Sequence, residues 1–288
     1  MNDPGINIRE LPQLEKPLLI AGFNGWGNAL NISDGMASYL IRHFGARPFA
    51  ELNPDIFYRY DEQRPRVSIE NGLLKNFILP KGSFYSAATD KDQSDVVILN
   101  ADEPNLGWMH FVDLLFSLCR KLDVGTVITL GSMYDNVLHT DRIVSGVAST
   151  SAMLTQLQKL NVNAISYQGP SAIHSIIQSE GTRRGFECIS LWSHCPYYLQ
   201  GTTHFGILSH LGRLIARLGN FHLDTEKLDK NWKTLKEQIN TLIESNDELQ
   251  KLIASLRKEK AQGSPARLDD TAAGNQKIIN LQDFLDPQ

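Results

Sequence analysis

The sequence predicts an α/β protein of three layers, a largely parallel sheet with helices on both faces, followed by a long carboxyl-terminal helix. Three observations lead there. Short apolar runs at Pro17–Ala21, Asp95–Asn100, Val124–Leu130 and Phe186–Trp192 have the look of strands buried on both faces. Segments with helical spacing separate them, as crossover connections require. From residue 228 onward, leucine recurs every seven residues.

Taken in order, Met1 to Lys16 is a polar, proline-punctuated lead-in. The α/β domain spans 17–222. Its first strand ends at Gly22, Gly25 and Gly27, which remove Cβ atoms where the chain must turn sharply. Trp26 is expected to pack over this turn as a lid. Ile32, Met36, Tyr39 and Leu40 then fall on one helical face, with Ser33 as an early cap. The glycines are spaced Gly-x-x-Gly-x-Gly, which is not the dinucleotide fingerprint.

Arg47–Leu52 reads as a second strand and Asn53–Arg66 as a surface excursion. Val67–Ile69 and Leu73–Leu79 flank Asn71-Gly72, a strong hairpin signal. Beyond the strand at Asp95, helices are expected from Trp108 to Leu122, from Ser145 to Leu160 and from Ser171 to Arg184. A further strand is expected over Ala164–Tyr167.

With 288 residues and 42% hydrophobic content, the chain has enough apolar surface for a full core. A net charge of -4 gives no electrostatic footprint for nucleic acid. No apolar run reaches membrane-spanning length and no signal-peptide pattern opens the chain, so a cytoplasmic protein without membrane contact is expected. Cys119, Cys188 and Cys195 are odd in number and lack metal spacing, which fits a reducing compartment. Neither a metal site nor a cofactor is expected. No phosphate-binding loop, Gly-x-Ser-x-Gly elbow or His-Glu-x-x-His pattern is present.

Leu228, Leu235, Leu242, Leu249 and Leu256 alternate at 4/3 spacing with Trp232, Ile239, Asn246 and Ile253. This a/d pattern predicts one continuous helix over 223–260 that self-associates as a coiled coil, with Asn246 setting register. The alternative is a helix docked on its own domain. Residues 261–288 read as a flexible tail, with small and charged residues first and then an apolar end, Ile278–Leu285. That end is a docking peptide for a protein partner or a short element folded on its own domain.

Asn24, Asp102, Glu103, Ser132, Tyr134, His139 and His194 all follow expected strand ends, where parallel sheets gather their ligands. Asp102 and Glu103 are either a base or metal pair or an acidic helix cap. His139 with Thr140 and Arg142 offers an anion grip or an internally bonded loop. Cys195 adjoins His194, but neighbours on an extended chain face opposite ways, so Cys195 reads as a buried structural residue.

Four stretches occur in order: Phe23-Asn-Gly-Trp-Gly-Asn28, Asp102-Glu-Pro-Asn-Leu-Gly-Trp108, Leu130-Gly-Ser-Met-Tyr-Asp135 running on to Arg142, and Leu191-Trp-Ser-His-Cys-Pro-Tyr-Tyr198. Together they resemble the proteasome assembly chaperone 2 family, over roughly 17–257. The resemblance implies a nucleoside-phosphorylase-like domain, homo- or hetero-oligomers and, in eukaryotic members, assembly of the proteasome α-ring. This chain departs from the family at Gly27-Asn28-Ala29, at Asp141-Arg142 and at Tyr197. The expectation is a non-enzymatic, oligomeric chaperone-like or scaffold protein, binding through a rim around Trp26 and His139 and through the tail. The alternative is an enzyme or binder for a nucleoside or phosphorylated ligand in the same crevice.

Overall fold

The computed structural model describes residues 3–261. The lead-in contributes an edge strand, β1 (Ile6–Ile8), where the sequence suggested no element. β2 (Leu18–Asn24) is buried except at its last residue. The glycine turn leads into α1 (Ile32–Phe44), and Ser33 is not its cap. Asn28 Oδ1 accepts from the amides of Ser33 at 3.0 Å and Asp34 at 3.3 Å. The buried Ser33 hydroxyl instead accepts from Phe23 N at 2.8 Å and donates to Leu130 O at 2.5 Å, pinning α1 to two strands.

β3 (Arg47–Leu52) pairs antiparallel with β1. A short helix, α2 (Pro54–Phe57), opens the surface excursion. The hairpin β4 (Arg66–Glu70) and β5 (Leu73–Ile78) forms a separate two-stranded sheet. Its Asn71-Gly72 turn has φ 50 and 77, the double positive φ that such turns need. β6 (Gly82–Ala87) is a strand that the polar-aromatic sequence did not reveal. β7 (Val96–Asp102), α3 (Trp108–Lys121) and β8 (Thr126–Asp135) follow as expected.

The expected helix from Ser145 to Leu160 divides. Val144–Ala148 is strand β9, and Thr150 then caps α4 (Ser151–Lys159) by accepting from Met153 N at 3.2 Å. The strand at 164–167 shrinks to β10 (Asn163–Ala164), followed by loop, α5 (Ile173–Arg183), β11 (Glu187–Pro196) and α6 (Phe205–Gly219).

The nine-stranded sheet has the order β1-β3-β6-β7-β2-β8-β11-β9-β10. Its centre, β7-β2-β8-β11, is parallel. The flanks turn antiparallel at β6, which a short loop joins to β7, and at β9, which the loop after β8 brings back to pair with β11. The sheet is therefore mixed. One face packs mainly on α1, α4 and α6; the other packs on α3 and α5.

The single coiled-coil helix is corrected. The segment is α7 (Glu226–Glu244) and α8 (Asp247–Ala261), broken at Ser245-Asn246. Asn246 Oδ1 accepts from Glu248 N at 3.0 Å and Leu249 N at 3.1 Å, so this residue caps α8 rather than setting a coiled-coil register. Leu228, Leu235, Ile239, Ile253 and Leu256 are buried in the core on the α6 face, with Trp232 and Leu242 packed against it. Leu249 is buried too. The seam is used within its own chain. The expected tail at 261–288, with its apolar end Ile278–Leu285, lies beyond the described residues from 262 onward. Among the described residues no helix is long and apolar enough to cross a membrane.

Candidate functional site

The carboxyl end of β2 and that of β7 lie side by side, bringing Asn24 next to Asp102. Asn24 Nδ2 donates to Asp102 Oδ1 at 2.8 Å, and Lys81 N donates to Asp102 Oδ2 at 2.8 Å. Glu103 is a brace. Its Oε2 accepts from Trp26 N at 2.9 Å and its Oε1 accepts from Ile173 N at 2.8 Å, at the start of α5. A carboxylate suits that helix end, where unpaired amides concentrate positive charge. Both acids are thus spent on backbone and on Asn24, not left free as a base. Glu103→Ala is expected to cost about 2 kcal/mol, since two charge-assisted bonds lose their acceptor. Thermal unfolding checks this, and an unchanged midpoint would refute the brace.

Between the glycine turn and the loop before α5 lies a cleft of about 490 Å³, lined by Trp26, Ser132, Tyr134, Val147, Tyr167 and Trp192 among others. Trp26 is 66% exposed, so it stands on the rim and does not close the turn as a lid. Tyr134 and Tyr167 are also exposed. Trp192 packs against the buried His174 ring, with centroids 4.8 Å apart. A Cβ at Gly131 would stand 2.7 Å from the Trp192 ring, and one at Gly27 would stand 3.0 Å from it. These two glycines therefore let the indole approach the backbone. Ser132 is buried and donates to Ala29 O at 2.8 Å. No charged side chain lines the described cleft.

His194 lies at the centre of a relay that sequence spacing did not disclose. Its Nδ1 is 2.7 Å from Asp135 Oδ2, and its Nε2 is 2.6 Å from Ser145 Oγ. The spacing of Val144 and Val147 is helical, so residues 145–160 read as one helix and Ser145 carries no strand signal in the sequence; only the pairing of β9 with β11 reveals it. Cys195 faces the opposite side and is fully buried, and burial pushes its thiol pKa up.

His139 and Arg142 do not join this cleft. His139 Nδ1 is 2.9 Å from the Tyr198 hydroxyl, and burial lowers its pKa to about 4. The Arg142 guanidinium sits 4.5 Å from the Trp232 ring centre and donates to His139 O at 3.0 Å. Burial lowers the Arg142 pKa to about 10. His204, lowered to about 3 by burial, is stacked on Trp232 with centroids 4.4 Å apart. These residues form the junction between α6 and α7. The expected single rim around Trp26 and His139 is therefore two separate places. Among the described residues no cluster of three or more His, Cys, Asp or Glu could hold a metal ion.

A family model described as the PAC2 family matches residues 19–243. The chain belongs to the PAC2 family. The fold is shared with a PAC2 family protein from Streptomyces avermitilis, 23% identical over 82% of this chain and 99% of that one, with a TM-score of 0.73. It is shared with the proteasome-assembly chaperone homologue Rv2125 of Mycobacterium tuberculosis, at 24% identity, 82% and 99% coverage and a TM-score of 0.74. PbaB of Pyrococcus furiosus, an archaeal proteasome activator, is 19% identical over 82% and 97%, with a TM-score of 0.62. No curated protein matches the chain.

Proposed function

We propose that this PAC2 protein is a chaperone-like or scaffold protein of the cytoplasm that binds a protein partner of the proteasome-subunit kind. The observation that carries the reading is the β4–β5 hairpin. Val67, Ile69, Leu73, Leu74, Phe77 and Ile78 are each at least half exposed there. A lone two-stranded hairpin with so much apolar surface is marginal in water, and such patches mark protein contacts. The family membership and the chaperone homologue among its structural neighbours support the choice of partner.

Self-association belongs to the same proposal. Because the leucine seam is used inside the monomer, a homo-oligomer would form through the hairpin. The tail at 278–285 is proposed as a second partner contact. A pull-down from native cells tests this with the full chain, a chain ending at Gln262 and an Ile69→Lys/Leu74→Lys variant. A near-stoichiometric proteasome subunit, reduced at least tenfold by the hairpin variant, is the expected result. Equal recovery with both variants, or no such subunit in any lane, would overturn the reading.

The aromatic cleft favours a second use, binding a small uncharged ring compound such as a nucleoside. Its lining offers no cation to a phosphorylated ligand.

A further inference from the structure

We propose that Ser145 is a nucleophile for ester hydrolysis, activated by His194 and oriented through Asp135, with the aromatic cleft receiving an apolar acyl group. The proposal goes beyond the chaperone reading and does not rest on it. The spacing is that of a nucleophile, base and orienting carboxylate: Ser145 Oγ to His194 Nε2 at 2.6 Å, and His194 Nδ1 to Asp135 Oδ2 at 2.7 Å. With the Nδ1 proton given to Asp135, Nε2 is left to accept the hydroxyl proton.

Strand register places this relay beside the cleft. Ser145 pairs with Trp192 across β9 and β11, and Val147 is the next residue along β9 on the same side. Met133 is in register with His194. Trp192, Val147 and Met133 all line the cleft, so two of its wall residues adjoin Ser145 and the third adjoins His194. Ser145 is 4% and His194 8% exposed, so the relay lies directly beneath these wall residues, and a substrate reaches it by displacing the Val147 side chain. On the other side, Asn163 of β10 is in register with Ser145 and therefore shares its face. Asn163 is exposed, and its carboxamide supplies a donor for the oxyanion.

The reaction balances without a further reagent. Ser145 Oγ bonds to the ester carbonyl carbon as its proton passes to His194 Nε2. The bond from that carbon to the alcohol oxygen then breaks, and the alcohol leaves with the proton. Water adds to the acyl carbon, giving a proton to His194. The bond to Oγ breaks, the acid departs and the hydroxyl is restored. The uncharged aromatic lining selects esters of apolar acids over those of charged ones.

The test treats the folded full-length chain with an alkyl fluorophosphonate and reads adducts by intact mass and peptide mapping. One adduct on Ser145 is expected, absent in Ser145→Ala. His194→Gln and Asp135→Asn should slow labelling at least tenfold while melting temperatures stay within a few degrees of the unmodified chain. The pH profile of labelling should be lost in His194→Gln and altered in Asp135→Asn, a change that a merely structural carboxylate would not produce. Asn163→Ala should lower turnover of 4-nitrophenyl phenylacetate at least tenfold, and that ester should be preferred over the 4-nitrophenyl monoester of succinate. No adduct, an adduct elsewhere, or labelling of His194→Gln at the unmodified rate would overturn the nucleophile. A preference for the succinate ester would overturn the substrate class.

Discussion

Lowering the pH from 7 to 5 is expected to destabilise the fold by about 4 kcal/mol, most of it through His139 and His204. Both rings are buried, and burial lowers their pKa values to about 4 and about 3 from the ordinary 6.5. The sign follows from linkage. Between the folded and ordinary values, the unfolded chain takes up a proton that the folded chain refuses. Stability is therefore full above about pH 6.5 and is lost as the pH falls towards the folded values. At pH 5 each ring contributes a loss of about 2 kcal/mol.

Arg142, Lys236 and Arg257 reinforce the effect on His139, since they oppose a further positive charge there. The buried His174 shifts in the same direction. The carboxylates of Asp229 and Glu180 are held below their usual range and stay charged through this window. Urea unfolding at the two pH values measures the loss. Ile207 N donates to the His204 Nδ1 at 3.2 Å; His204→Asn replaces that acceptor with an amide oxygen and should remove about half of the pH dependence. A midpoint that does not move between pH 7 and 5 would show that these rings are solvated.

The parts of this fold that are readable from sequence are those with a periodic apolar signal. β2, β7, β8 and β11 are buried on both faces, so each shows as a run, and the positive φ of Asn71 and Gly72 is written in their identities. β6 reads Gly-Ser-Phe-Tyr-Ser-Ala and buries only Gly82 and Phe84, so little apolar patterning marks it. The heptad was correctly visible as an apolar seam. Periodicity alone, however, cannot distinguish a partner helix from the chain's own domain, and the side-chain cap of Asn246 decides where the helix breaks. The site was the least legible part. Ser145 and His194 are neighbours only because β9 pairs with β11, and Asp135 joins them through the pairing of β8 with β11, contacts between residues 49 and 59 positions apart. Glu103 shows the converse: an apparently reactive acid turns out to be fully engaged with two backbone amides.

Trp232→Ala should undock α7 and α8 and turn the buried leucine seam into an exposed one. Trp232 is stacked on His204 with centroids 4.4 Å apart, and the Arg142 guanidinium lies 4.5 Å from its centre on a second contact. A Cβ at Gly206 would stand 2.7 Å from the Arg142 guanidinium carbon and 2.8 Å from the same ring, so α6 carries a glycine where the stacked guanidinium and indole must come close. Removing a large, partly buried aromatic with its cation–π partner costs about 3 kcal/mol. The loss also strands the Arg142 charge in a site that already lowers its pKa to about 10. With this latch gone, Leu228, Leu235, Ile239, Ile253 and Leu256 lose the surface they cover. They keep the 4/3 spacing that pairs helices. Hydrogen exchange should therefore accelerate across α7 and α8 while β2 and β8 stay protected. Light scattering should show concentration-dependent association beyond that of the unmodified chain. Unchanged protection in α7 would mean that the apolar seam alone anchors the helix, and that Trp232 is not its latch.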